Sequence, residues 1–138
     1  MDLTAAPEAA RSLTDWLKNQ GLRPDVQWDE SPGNQRVNFV HASGLITQLL
    51  ADRAQWFILL GRREWGSEWF DVELWDTCIH DRRLTRDARD FEAQVAWLRE
   101  NWEMLLSLGS DGPLECMRNA KIRRAHMKPP SPPRYPGL

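Results

Sequence analysis

The spacing of apolar positions changes period along the chain, and the changes mark the elements. Ala10, Leu13, Trp16 and Leu17 recur at three and four residues, which predicts an amphipathic helix. Pro7 and Glu8 suit its first turn, and Gly21, Leu22 and Pro24 form its stop signal. The period then shortens to two. Residues 26–28 read as a short strand and residues 31–34 as a turn. In the next strand Val37 and Phe39 face one way, Arg36 and Asn38 the other. Residues 45–51 fit either a helix or a buried strand. The strands on both sides favour the strand. The continuous apolar run 56–60 predicts a central strand buried on both faces. Residues 69–76 alternate most clearly: Phe70, Val72 and Leu74 on one side, Trp69, Asp71, Glu73 and Trp75 on the other.

Beyond a charged link the helical period returns. Phe91, Val95, Leu98, Trp102 and Leu105 predict a long helix from near Asp87 to Gly109. Asp111 and Pro113 open a last helix with Leu114, Met117 and Lys121 on one face. Strands in the middle and helices at the ends define an α+β fold. The expectation is an antiparallel sheet of four to five strands, with an N-terminal helix and two C-terminal helices packed mainly on one face. Residues 1–127 form one domain. Residues 128–138 hold five of the nine prolines and are expected as a disordered or extended Pro-rich tail.

Composition adds an address and a charge pattern. A chain of 138 residues buries enough apolar surface to fold without metal or disulfide. Its longest apolar run is too short to cross a membrane, and its first residues lack a signal peptide, so a cytoplasmic protein is expected. In that compartment Cys78 and Cys116 are expected as free, partly buried thiols. The formal charge of −2 is unevenly spread. Residues 1–115 carry 12 Lys+Arg and 20 Asp+Glu, whereas residues 116–138 carry six basic residues and no acidic one. The basic end could meet nucleic acid, an acidic protein or the body's own acids. It lacks interleaved aromatics for stacking on bases, which weighs against nucleic acid.

Motifs for chemistry are sparse. No nucleophile elbow or phosphate-binding loop occurs. The stretch Cys78, His80 and Asp81 falls short of a closed metal site. No cofactor, metal or catalytic set is expected. Asp71 and Glu73 on one strand would lie about 7 Å apart. With Trp69 and Trp75 beside them they give an alternative reading: a small-ligand or carbohydrate-binding domain, or an enzyme acting on such a ligand. The favoured reading takes Glu64, Trp65, Glu68, Trp69, Asp71, Glu73 and Trp75 together as an acidic, aromatic surface for a basic protein.

In size, charge and layout the chain resembles the immunity proteins of bacterial toxin systems. That resemblance implies an inhibitor that covers the basic active site of a toxin. The opening helix and strands are also similar to secretion-chaperone folds, a match that stops near residue 76.

Overall fold

The computed structural model describes residues 7–28, 35–109 and 112–127. The expected turn at residues 31–34, the cap Asp111 and the tail from residue 128 lie outside them.

Helix α1 (Glu8–Asn19) buries Ala10, Leu13 and Leu17 of the stripe its spacing predicts, with Thr14 beside them, while Trp16 stays half-buried against the core. The chain turns at Gly21, whose φ is 87°, and the Leu22 N–H donates to the Leu17 carbonyl. A left-handed residue followed by a buried Leu is the usual helix terminator.

Strands β1 (Arg23–Trp28), β2 (Gln35–Val40), β3 (Leu45–Asp52), β4 (Gln55–Arg62) and β5 (Phe70–Asp71) form one antiparallel meander in sequence order. The ambiguous segment is thus a strand, β3. It joins β4 through a two-residue hairpin at Arg53 and Ala54, which have φ of 52° and 67°. Two consecutive positive φ values give a turn whose twist matches its strands.

The clearest alternation is where the sequence misleads. Only Phe70–Asp71 is strand, and helix α2 (Val72–His80) follows at once. Asp71 caps it, accepting the Leu74 N–H at 3.2 Å. Residues 72–79 satisfy a helical period as well as an alternating one. The cap and the tertiary cover for Leu74 and Trp75 decide between them.

The predicted long helix is present as α3 (Phe91–Glu100) and α4 (Trp102–Ser107), broken at Asn101. Its cap is Asp90, which accepts the Ala93 N–H, so it starts later than Asp87. Helix α5 (Leu114–Ala125) ends the described chain and buries only Met117 and Ala120.

The fold is therefore α+β, a five-stranded antiparallel sheet with α1 and the C-terminal helices on one face. The core lies between the layers: Val37, Phe39, Leu49, Ile58, Leu60 and Phe70 from the sheet meet Leu13, Leu17, Trp75, Trp97, Leu98 and Leu105 from the helices. Among the described residues no helix is long and apolar enough to cross a membrane.

Candidate functional site

Antiparallel pairing places directly opposed residues on one face. Opposite the helices, Arg36, Leu50 and Phe57 form one row across β2, β3 and β4. Asn38, Gln48 and Leu59 form the next, and Val40, Ile46 and Gly61 the third. Val40, Leu50, Phe57 and Leu59 are half-buried and stand outside the core cluster. β4 is thus not sealed on both faces as its sequence suggested: Ile58 and Leu60 are at 0% exposure, while Phe57 and Leu59 between them are not buried.

Two features give this face shape. Trp69 lies across Gly61: a Cβ on Gly61 would stand 2.9 Å from the indole ring and 2.8 Å from the Glu68 carbonyl oxygen. Only glycine admits that approach. Between the apolar side chains the Gln48 Nε2 amide donates to Asn38 Oδ1 at 2.8 Å, and both residues are buried. The result is a sheet surface of apolar side chains that also carries Arg36 and the paired Asn38 and Gln48 amides, with an indole at its edge.

The seven residues read from sequence as an acidic, aromatic surface divide differently. Trp69 stays half-buried on the helix-free face. Trp75, on α2, is 1% exposed and donates its Nε1–H to the Leu60 carbonyl. Trp65, in the 3-10 turn Arg63–Trp65, is buried and stacks on Trp75 with centroids 5.6 Å apart. Each carboxylate meets a cation of the same chain. Glu64 pairs with Arg62, Glu68 with Arg118, Asp71 with Arg124 and Glu73 with Arg89. The shared strand face of Asp71, Glu73, Trp69 and Trp75 is therefore corrected. Asp71 caps the helix that turns Glu73 and Trp75 inward.

Sequence reasoning missed a polar cluster between α2 and α3. Glu73 and Asp76, one turn apart on α2, both bind Arg89. The Arg89 backbone N–H donates to Glu73 Oε1 at 3.0 Å and its Nε–H to the same oxygen at 2.6 Å. Asp76 also accepts the Trp97 Nε1–H at 2.9 Å and lies 3.3 Å from Arg82 Nε. Burial pushes both carboxyls upward, but these donors and cations outweigh it and hold both below the usual range. The same carboxylates raise Arg89 further above its ordinary value. A cleft of about 400 Å³ opens beside Asp76, His80, Arg82 and Asn101. The signal in the sequence was the run of arginines 82, 83, 86 and 89 after two acids three residues apart.

The cysteines expected as free thiols are joined, Cys78 of α2 to Cys116 of α5, with Cα atoms 5.9 Å apart. The two elements that carry them pack side by side, which no sequence spacing reveals. Cys78 thus offers no thiolate to His80 and Asp81, and no group of metal-binding side chains is found among the described residues.

The fold and this face define a small α+β domain with one sheet surface that no helix of the described residues covers. No family model, curated protein or solved structure matches the chain.

Proposed function

We propose that the protein is a binding module that takes a basic protein partner on the helix-free face of its sheet. The observation that carries the reading is the group Val40, Leu50, Phe57, Leu59 and Trp69, apolar, half-buried and outside the core cluster. An apolar patch edged by an indole is the composition of an interface centre. The formal charge of −2 leaves the whole chain a small net attraction for a cationic partner, since the cations of α5 offset part of the acidic surplus of residues 1–115. Function as an inhibitor, of the kind that covers a basic toxin surface, follows from that pairing of an apolar centre with an acidic body. The partner's chemistry sets the choice: a protein with an apolar patch ringed by Lys and Arg.

The test is affinity capture with the unmodified chain, with Leu59→Lys on the sheet face and with Glu92→Lys on α3, each shown folded by circular dichroism. One stoichiometric basic protein should come down with the unmodified chain and with Glu92→Lys, and be lost with Leu59→Lys. Equal capture by all three would refute the sheet face as the docking surface. The alternative ligand site loses its geometric basis, because Asp71 is committed to Leu74 and Arg124, and Glu73 to Arg89.

A further inference from the structure

Helix α5 sits on the body in an unusual way. It buries one Met and one Ala in the core, its first residue Leu114 packs half-buried against that core, and Ile122 points outward at 60% exposure. Its cations make the remaining contacts at helical spacing. Arg118 binds Glu68 through two hydrogen bonds, one of them from Nε at 2.8 Å. Lys121 Nζ lies 5.8 Å from the centre of the Phe70 ring. Arg124 NH1 donates to Asp71 Oδ2 at 2.6 Å, with both side chains about one-fifth exposed. Positions 118, 121 and 124 advance by three, so they form one stripe facing Glu68, Phe70 and Asp71. Acid, aromatic ring and acid thus meet cation, cation and cation. The Cys78–Cys116 disulfide fastens the N-terminal half of the helix, and Cys116 is exposed.

We propose that Glu68, Phe70 and Asp71 form a receptor surface for a basic helix, that α5 occupies it within the chain, and that reduction of the Cys78–Cys116 disulfide opens it. The occupant after opening is a helix of a partner protein that carries Lys or Arg at every third position, as α5 does. The reductant is a dithiol. One of its thiolates attacks the sulfur of Cys116, the more exposed residue of the pair, the disulfide breaks, and Cys78 leaves as a thiolate and takes a proton. The second thiol of the reductant then displaces Cys116 from the mixed disulfide. Two electrons and two protons pass to the protein, and the dithiol becomes a disulfide. What remains at α5 is a thin apolar contact and two partly exposed ion pairs, which salt and water weaken. This surface is separate from the helix-free sheet face, and its test uses no external protein.

Hydrogen exchange of the full-length chain, oxidised and with dithiothreitol, reads the first half of the claim. Amides of residues 117–125 should lose protection by about tenfold or more on reduction, while those of β2, β3 and β4 keep theirs. Unchanged α5 amides would overturn the switch. So would loss of sheet protection in step with α5, which would make the bond a support of the whole fold.

A peptide of residues 113–127 carrying Cys116→Ser reads the second half. It should bind the full-length chain with Cys116→Ser, Arg118→Glu and Arg124→Glu, whose own α5 is unseated. It should bind at least about tenfold more weakly, a difference of about 1.4 kcal/mol, to the oxidised native chain. Adding Glu68→Gln to the unseated chain should weaken binding about tenfold. No binding to the unseated chain, or binding indifferent to Glu68→Gln, would overturn the receptor.

Discussion

Glu73 shows how one residue can be recognisable in sequence and misplaced in its role. Its charge and its aromatic neighbours suit a docking surface, yet the residue is 8% exposed and its carboxylate is closed on Arg89. Four donors reach its two oxygens: the Arg89 N–H, the Arg89 Nε and NH2 groups, and the Thr85 hydroxyl. The residue is a latch for the link between α2 and α3. Glu73→Gln should lower stability by about 2 kcal/mol in urea denaturation, because it leaves the Arg89 guanidinium without its main counter-charge. The pH dependence follows from the direction of the shift. A carboxyl whose folded value lies below its unfolded value stabilises the fold above the unfolded value, near 4.5. That contribution is lost as pH falls through the folded value. Stability of the native chain should therefore drop in acid below about pH 4.5, and Glu73→Gln should flatten that part of the curve. An identical acid limb in the variant would mean that Arg89 does not hold Glu73.

Gln94 makes a comparable point. β5 pairs only with Leu59 and Leu60 of β4, so the Ile58 N–H meets a side chain: it donates to Gln94 Oε1 at 2.8 Å. Nearby the Leu60 carbonyl accepts the Trp75 indole. Side chains from α3 and α2 thus cover the part of the β4 edge that a two-residue strand leaves open. Gln94→Leu should cost about 1–3 kcal/mol by stranding a buried donor, and should speed exchange of the Ile58 amide. An Ile58 amide with unchanged exchange would contradict this assignment.

At the scale of elements, the sequence was most legible where one period had no rival. α1, β2 and the α3–α4 helix each follow from a single spacing, which selects Leu13, Leu17, Val37, Phe39, Leu98, Trp102 and Leu105 correctly but leaves Trp16, Phe91 and Val95 half-buried and misses Gln94. The segment after Phe70 offered two periods at once. Val72, Trp75 and Ile79 fit a helix as well as Phe70, Val72 and Leu74 fit a strand. Asp71, placed to cap the first turn, was the local signal for the helix. The break at Asn101 has a cause of the same local kind: its side-chain amide donates to the Trp97 carbonyl. The β3–β4 hairpin carries a cost the sequence does not announce. Arg53 and Ala54 both adopt positive φ, which costs roughly 1 kcal/mol each in a residue with a Cβ. Ala54→Gly should raise the thermal midpoint, with a gain of about 0.5–1 kcal/mol. A lower midpoint would show that the loop has a different conformation.

For the whole molecule, charge and layering carry the account. The body's own acids were one of three partners the sequence offered the basic C-terminal segment, and the structure folds α5 back onto Glu68 and Asp71. Arg118 holds the Glu68 carboxyl below its usual range through a side-chain hydrogen bond, an effect confined to the exposed rim. Neither this pairing nor the disulfide could be read from spacing, since both depend on how α2 and α5 meet in space. What the sequence did contain was a sheet with helices gathered at its two ends, and therefore one face with fewer covers than the other. It named Trp69 on that face but not Phe57 or Leu59, because a continuous apolar run does not say which side its helices take.

The most direct test of that face is site-specific photo-crosslinking in the native cell. A photo-reactive phenylalanine replaces Phe57 on the sheet surface in one strain and Glu92 on the helix surface in another. The account predicts one stoichiometric crosslink to a basic protein from position 57 and none from position 92. Crosslinks to the same protein from position 92 alone, or to nucleic acid from position 57, would contradict it.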